Sequence, residues 1–97
     1  MFSIVFHPEA RDELQTSAGY YEDEVTGLGG EFLDEIERAM SRMQEFPDSG
    51  TPFSSHTRRY LVDRFPFAII YSLETNRILI IAIMHLHRKP GYWRDRI

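Results

Sequence analysis

Cysteine is absent from this 97-residue chain. Disulfides and thiol chemistry are thereby excluded, and a reducing cytosol is the simplest setting. Long apolar runs are also lacking. The longest spans Ile78 to Met84, seven residues, far short of a membrane crossing. The N-terminal stretch MFSIVFHPEARDEL has no basic flank and only a brief apolar segment, so it does not read as a signal peptide. A cytoplasmic protein with no membrane partner is expected. Repeats and low-complexity tracts are missing too. The one Pro/Gly/Ser-rich stretch, Pro47 to Ser55, suits a surface loop rather than a domain boundary. Residues 1–97 are therefore expected to form a single domain, long enough to bury one core.

Positive charge is scarce in the first half. Residues 1–50 hold 3 Lys/Arg and 12 Asp/Glu, a net of −9. Residues 51–97 hold 8 Lys/Arg and 3 Asp/Glu, a net of +5. The modest total of −4 hides a two-signed molecule. Its basic half can face a polyanion or an acidic protein segment, and its acidic half faces solvent.

Periodicity predicts the elements. Phe2 to Phe6 reads as a short strand. Pro8 suits the first turn of a helix, and Glu9, Asp12 and Glu13 complement a helix N-terminus. Ala10, Leu14, Ala18, Tyr21 and Val25 mark one helix face. Gly27, Gly29 and Gly30 break the pattern. A second stripe follows at Phe32, Ile36, Ala39, Met40 and Met43, and Pro47 ends it at Phe46. Then come strands at Arg59 to Val62, Phe67 to Leu73 and Ile78 to Met84, with a hairpin turn at Glu74 to Arg77. The third strand, apolar without a break, reads as buried on both faces. After Pro90-Gly91 the chain reads as a short helical turn or an irregular tail. The expected fold is α+β in two layers. An antiparallel helical hairpin packs on a mostly antiparallel four-stranded sheet, in the order β-α-α-β-β-β.

Chemistry concentrates in the basic half. Arg58, Arg59, Arg64, His85, His87, Arg88, Lys89, Arg94 and Arg96 fall near the ends of neighbouring strands. They are expected to gather into an anion-binding face. The plainer alternative pairs these arginines with the acids of the first half. His85 and His87 share a face of an extended strand, placed for proton transfer or simply for local hydrogen bonds. Tyr92 and Trp93 either stack on a partner or cap the core. The acids at 22–24 and 34–37 read as solvated helix faces. Gly27-Leu-Gly-Gly lacks the lysine of a phosphate loop. No metal site is expected, because no ligand set recurs at a helpful spacing.

Several segments, taken in order, carry a resemblance. They are HPEARDELQTSAGYYEDEVTGLGGEFLDEIERAM, FPDSG, RRYLVDRFPFAIIY and IAIMHLHRKPGYWRDR. Together they resemble the RelE/ParE superfamily of bacterial toxins, also called plasmid stabilisation proteins. The resemblance implies a growth-inhibiting toxin of a type II toxin–antitoxin system, silenced by a cognate antitoxin. It implies no cofactor, and it leaves self-association into a homodimer open. Two activities occur in the superfamily. RelE-like members are mRNA interferases that cut messages in the ribosomal A site. ParE-like members inhibit DNA gyrase without catalytic residues.

RelE-like nucleases carry an arginine on the middle strand, a few residues before a tyrosine. Tyr71 matches the tyrosine, but the arginine position falls on Ala68. That apolar residue favours the ParE-like reading. Against it, His87 and Tyr92 lie near the C-terminal histidine and tyrosine of some nuclease members. The resemblance then implies a catalytic set of His87, Arg64 and Tyr92. Whichever target applies, Arg58, Arg59, Arg64, His85, Arg88 and Trp93 are the expected partner-binding residues. Arg59, Arg64 and Trp93 are expected beside a groove between the helices and the sheet.

Overall fold

The computed structural model describes residues 2–97. The elements run β1 (Ser3–Phe6), α1 (Pro8–Glu24), α2 (Leu28–Glu45), β2 (Thr51–Pro52), β3 (Arg58–Leu61), β4 (Phe67–Leu73) and β5 (Arg77–His85). A 3-10 turn at Arg94–Arg96 closes the chain. The class is α+β, as the periodicity implies. The sheet has five strands rather than four, because a two-residue strand, β2, pairs with β3 through Thr51 and Pro52. So short a strand has no alternation from which to be read.

α1 starts at Pro8, which needs no N–H partner there. The His7 Nδ1 atom accepts the Glu9 N–H at 3.1 Å and caps the first turn. Its buried face is shorter than the sequence suggests. Val25 turns extended at the C-cap and lies 58 % exposed. Gly27 then opens α2 at φ 89°, a left-handed conformation that costs glycine little. The Glu22 carboxylate accepts the N–H groups of Gly27 (2.9 Å) and Gly29 (3.0 Å), placing negative charge at the start of α2. A Cβ on Gly29 would lie 2.5 Å from the Ala18 carbonyl oxygen, so the hairpin packs at backbone distance. Phe32, Ile36, Ala39 and Met43 are the buried stripe of α2.

The strands lie in the order β1-β5-β4-β3-β2. β1 pairs parallel with β5, and the remaining pairs are antiparallel. A bulge shifts the register between Ile70↔Ala82 and Tyr71↔Ile80 and leaves Ile81 without an opposite residue. Side-chain parity changes there. Ile78, Ile80 and Ile83 join Phe67, Ile69 and Tyr71 beneath the helices. Ile81, Ala82 and Met84 join Ala68 and Ile70 on the opposite face. Trp93, 1 % exposed, covers that second face with help from Phe53 and Tyr92. β5 is thus apolar on both sides because both sides are covered. The tail after Pro90-Gly91 is a strap that adds a partial third layer.

The Tyr71 hydroxyl fixes the connection from α2 to the sheet. It donates to the Pro47 carbonyl and accepts from the Gly50 N–H, each at 2.9 Å. Burial raises its phenol above the usual value near 10.

Two glycines test the hairpin packing. Gly29→Ala should destabilise the fold by about 1–3 kcal/mol, because the methyl meets rigid backbone. Gly19→Ala, with nothing within 4 Å of its Cβ, should stabilise by roughly 0.5–1 kcal/mol. Urea unfolding of the two variants measures both.

Candidate functional site

β5 is nine residues long, but β1 pairs only with residues 77–80 of it. Beyond Ile80 that edge of β5 has no strand neighbour, and unpaired backbone groups there need other partners. Side chains supply them. Glu13 of α1 accepts the Ile83 N–H at 2.9 Å. Arg96 of the strap donates to the Ile81 carbonyl at 3.0 Å. The two side chains also grip each other, with Arg96 nitrogens 3.0 and 2.8 Å from the Glu13 carboxylate oxygens. This fork-to-fork geometry is the strongest form of the pair. Both side chains are largely buried, 10 % and 15 % exposed. Arg96 Nε also meets Glu9 at 2.9 Å, and Arg88 reaches Glu13 at 3.4 Å. The hydrogen bond to Glu13 chiefly raises the Arg96 guanidinium pKa, against the opposing effect of burial.

Tyr92 lies between the two arginines. Arg88 stands 3.5 Å from its ring centroid and Arg96 5.1 Å. Its hydroxyl is buried with no hydrogen-bond partner. Burial first, and the neighbouring Glu13 charge second, push the phenol well above its ordinary value. Tyr92 therefore stays neutral far beyond physiological pH.

Beside this network an open groove of about 530 Å3 separates α1 from the ends of β4 and β5. Asp12, Thr16 and Tyr20 form its outer rim on α1, at four-residue spacing. Phe67, Ile83, His85 and Arg88 form the opposite wall. The His85 Nδ1 atom accepts the His87 N–H at 3.1 Å, which assigns the proton of neutral His85 to Nε2. The two imidazole rings lie 4.9 Å apart, and His85 packs edge-on against Phe67 at 5.1 Å. None of Arg59, Arg64 and Trp93 lines this groove. Among the described residues, no three His, Asp or Glu side chains are placed to share a metal ion. No helix among them is long and apolar enough to cross a membrane.

The basic residues do not gather into one face. Arg88 and Arg96 are drawn to Glu13. Arg64, at φ 69°, turns to α2 and meets Glu31 at 2.6 Å and Glu35 at 3.5 Å. Arg58 clips the 47–50 turn by donating to the carbonyls of Asp48 (3.1 Å) and Gly50 (2.7 Å). Arg59 lies on the strap side of the sheet, over the Phe53 ring. Lys89 and Arg94 flank Gly91 on the surface. The physical reason is local. Acids along α1 and α2 face the basic strands across a few ångströms, and near pairing wins over long-range clustering. His87, Arg64 and Tyr92 therefore sit in three different settings: a turn after β5, an ion-pair cluster on α2, and a buried stack.

Glu13 and Glu35 are the organising residues that the sequence reading missed, taking Glu13 only as a complement to the helix N-terminus and Glu35 as a solvated acid. A signal was present. Glu35 falls between Phe32, Ile36 and Ala39 on the buried stripe, and it is only 6 % exposed. An acid inside an apolar stripe calls for a cation.

The family described as "ParE toxin of type II toxin-antitoxin system, parDE" matches residues 4–90. Among solved structures, a chain of the "Chromosomal ParDE TA system from P. aeruginosa" superimposes with a TM-score of 0.75 at 17 % identity. That match covers 90 % of this chain and 98 % of the other. No curated protein matches the sequence.

Two outcomes are expected from the Glu13 network. Glu13→Gln should cost about 2–4 kcal/mol in urea unfolding, because it removes the buried carboxylate that forks Arg96 and leaves only the exposed Glu9 as its charge partner. Alkaline unfolding gives the second. The phenols of Tyr21, Tyr71 and Tyr92 are all raised in the folded state. Their stabilising contribution is complete below pH 10 and is lost as pH rises from there toward their folded values. Stability should therefore fall above pH 10, and Tyr92→Phe should flatten that fall. Denaturant midpoints measured at pH 8 to 11 provide the check.

Proposed function

The chain belongs to the ParE toxin family of type II toxin–antitoxin systems, within the RelE/ParE superfamily, and we propose that it inhibits DNA gyrase by binding and is silenced by a cognate antitoxin in the cytoplasm. The observation that carries this reading is Ala68. It stands where RelE-like nucleases are expected to hold an arginine, and it is fully buried beneath the strap. A methyl group there stabilises no charge on a phosphate. The remaining candidates for catalysis support the same reading. The Arg64 guanidinium is occupied by two carboxylates. The neutral Tyr92 phenol has burial against its ionising. Arg88, the residue next to His87, is drawn to Glu13 and the Tyr92 ring. The groove between α1 and the sheet, with its aromatic walls, is the concave surface best shaped for a segment of the antitoxin.

An mRNA endonuclease remains the second reading, favoured by the two histidines and Arg88 at the groove's end. The two make opposite predictions for one variant. Expression of the chain alone should arrest growth, and His87→Ala should arrest it equally. Purified protein should block supercoiling by gyrase on plasmid DNA. Primer extension on ribosome-bound mRNA should show no new cleavage. Cleavage abolished by His87→Ala, with gyrase unaffected, would replace the binding reading by the nuclease one.

A further inference from the structure

We propose that the strap side of the sheet is a contact surface for the antitoxin, where Arg59 receives a carboxylate from an apolar, acid-bearing segment. The inference rests on the toxin–antitoxin reading above. Arg59 sits on β3 opposite Thr51 on one side and Ile70 on the other. Ile70 belongs to the strap-side cluster, so Arg59 projects onto that face. Its guanidinium lies 5.1 Å from the Phe53 ring centroid, and Phe53 lies 6.0 Å from Trp93. The group is therefore a cation on an aromatic floor.

What sets Arg59 apart among the described arginines is a buried side-chain nitrogen with no acceptor. Arg64, Arg77, Arg88 and Arg96 each hold a carboxylate. Arg58 holds two carbonyls. Arg59 is partly buried, and its Nε is fully buried with no hydrogen-bond partner. No carboxylate among the described residues lies within ion-pair distance of it. Trp93 Nε1 is likewise buried without an acceptor. Two donor-only groups thus share one face that offers them nothing. A buried donor of a cation left without an acceptor is rare in a finished fold and common at a surface awaiting its complement. Arginine and tryptophan are also the side chains most enriched where binding energy concentrates.

The surroundings define the partner. Leu61, two residues along β3 and so on the same face, is 55 % exposed. Leu86, two residues beyond Met84, is 41 % exposed. A carboxylate on Arg59 with an apolar side chain over Leu61 satisfies both features. A nucleic-acid backbone would instead meet apolar ground on a chain of net charge −4.

Trp93 is the chain's one tryptophan, so its fluorescence reports on this face alone. The antitoxin, expressed full-length from the reading frame beside the toxin's own, is titrated into wild-type protein, Arg59→Gln and Arg59→Lys. Calorimetry gives the affinity and Trp93 emission gives the location. Wild-type binding should shift the emission and weaken with salt. Arg59→Gln should weaken binding by about ten- to hundredfold, as expected for loss of a charged hydrogen bond. Arg59→Lys, which keeps the charge and loses the fork, should fall between. The melting temperature of Arg59→Gln should equal or exceed that of wild type, since the free protein gives Arg59 no partner to lose. Wild-type binding with unchanged affinity for Arg59→Gln overturns this contact and leaves the toxin–antitoxin reading standing. A lowered melting temperature for Arg59→Gln overturns it as well. So does a Trp93 shift produced by short duplex DNA and not by antitoxin. Absence of any wild-type binding overturns both.

Discussion

The Glu13–Arg96 ion pair ties together three parts of the molecule: α1, the open edge of β5 and the strap. One carboxylate on α1 closes the edge of β5 through the Ile83 N–H and anchors the strap through Arg96. One guanidinium on the strap closes the same edge through the Ile81 carbonyl. The need arises because β1 stops after four residues while β5 continues for nine. A bare edge would leave polar backbone unpaired beside the core and invite unwanted strand pairing. Filling it with side chains seats Trp93 and Tyr92 on the second face. That cover is what allows β4 and β5 to be apolar on both sides.

The two-signed charge of the chain has its explanation here. The acids of the first half lie on two helices, and the arginines of the second half lie on strands and a strap packed against them. Part of that complementarity is spent inside the molecule, on Glu13, Glu31 and Glu35. Among the described residues of the basic half, Arg58, Arg59, Lys89 and Arg94 hold no carboxylate. Of the cations that remain, Arg59 lies on an aromatic floor with its Nε buried and unpartnered.

The bulge at Ile81 links fold to surface. By changing side-chain parity within β5, it sends His85 to the helix side and Met84 to the strap side. The end of the sheet therefore presents two different surfaces. One is the groove with Phe67 and His85, and the other is the face with Arg59, Leu61 and Trp93. A single extended partner passing around that end would meet both.

Much of the fold was legible in the residues themselves. Period 3.6 with Pro8, the glycines at 27–30 and Pro47 marked the helical hairpin, because caps and breakers act locally. The unbroken apolar run at 78–84 marked a central strand, because only a strand covered on both faces tolerates one. The alanine at position 68 was equally plain, and with it the missing cation. The candidate site was far less legible. Which arginine meets which carboxylate depends on contacts between residues far apart in the chain, as in the bond from Arg96 to Glu13, 83 positions away. Composition alone makes the basic residues look like one face, and only packing distributes them among separate partners. The residues thus specified the elements and the charge to be neutralised. Tertiary structure decided where each charge is neutralised, because an ion pair is fixed by distance in space and not by distance along the chain.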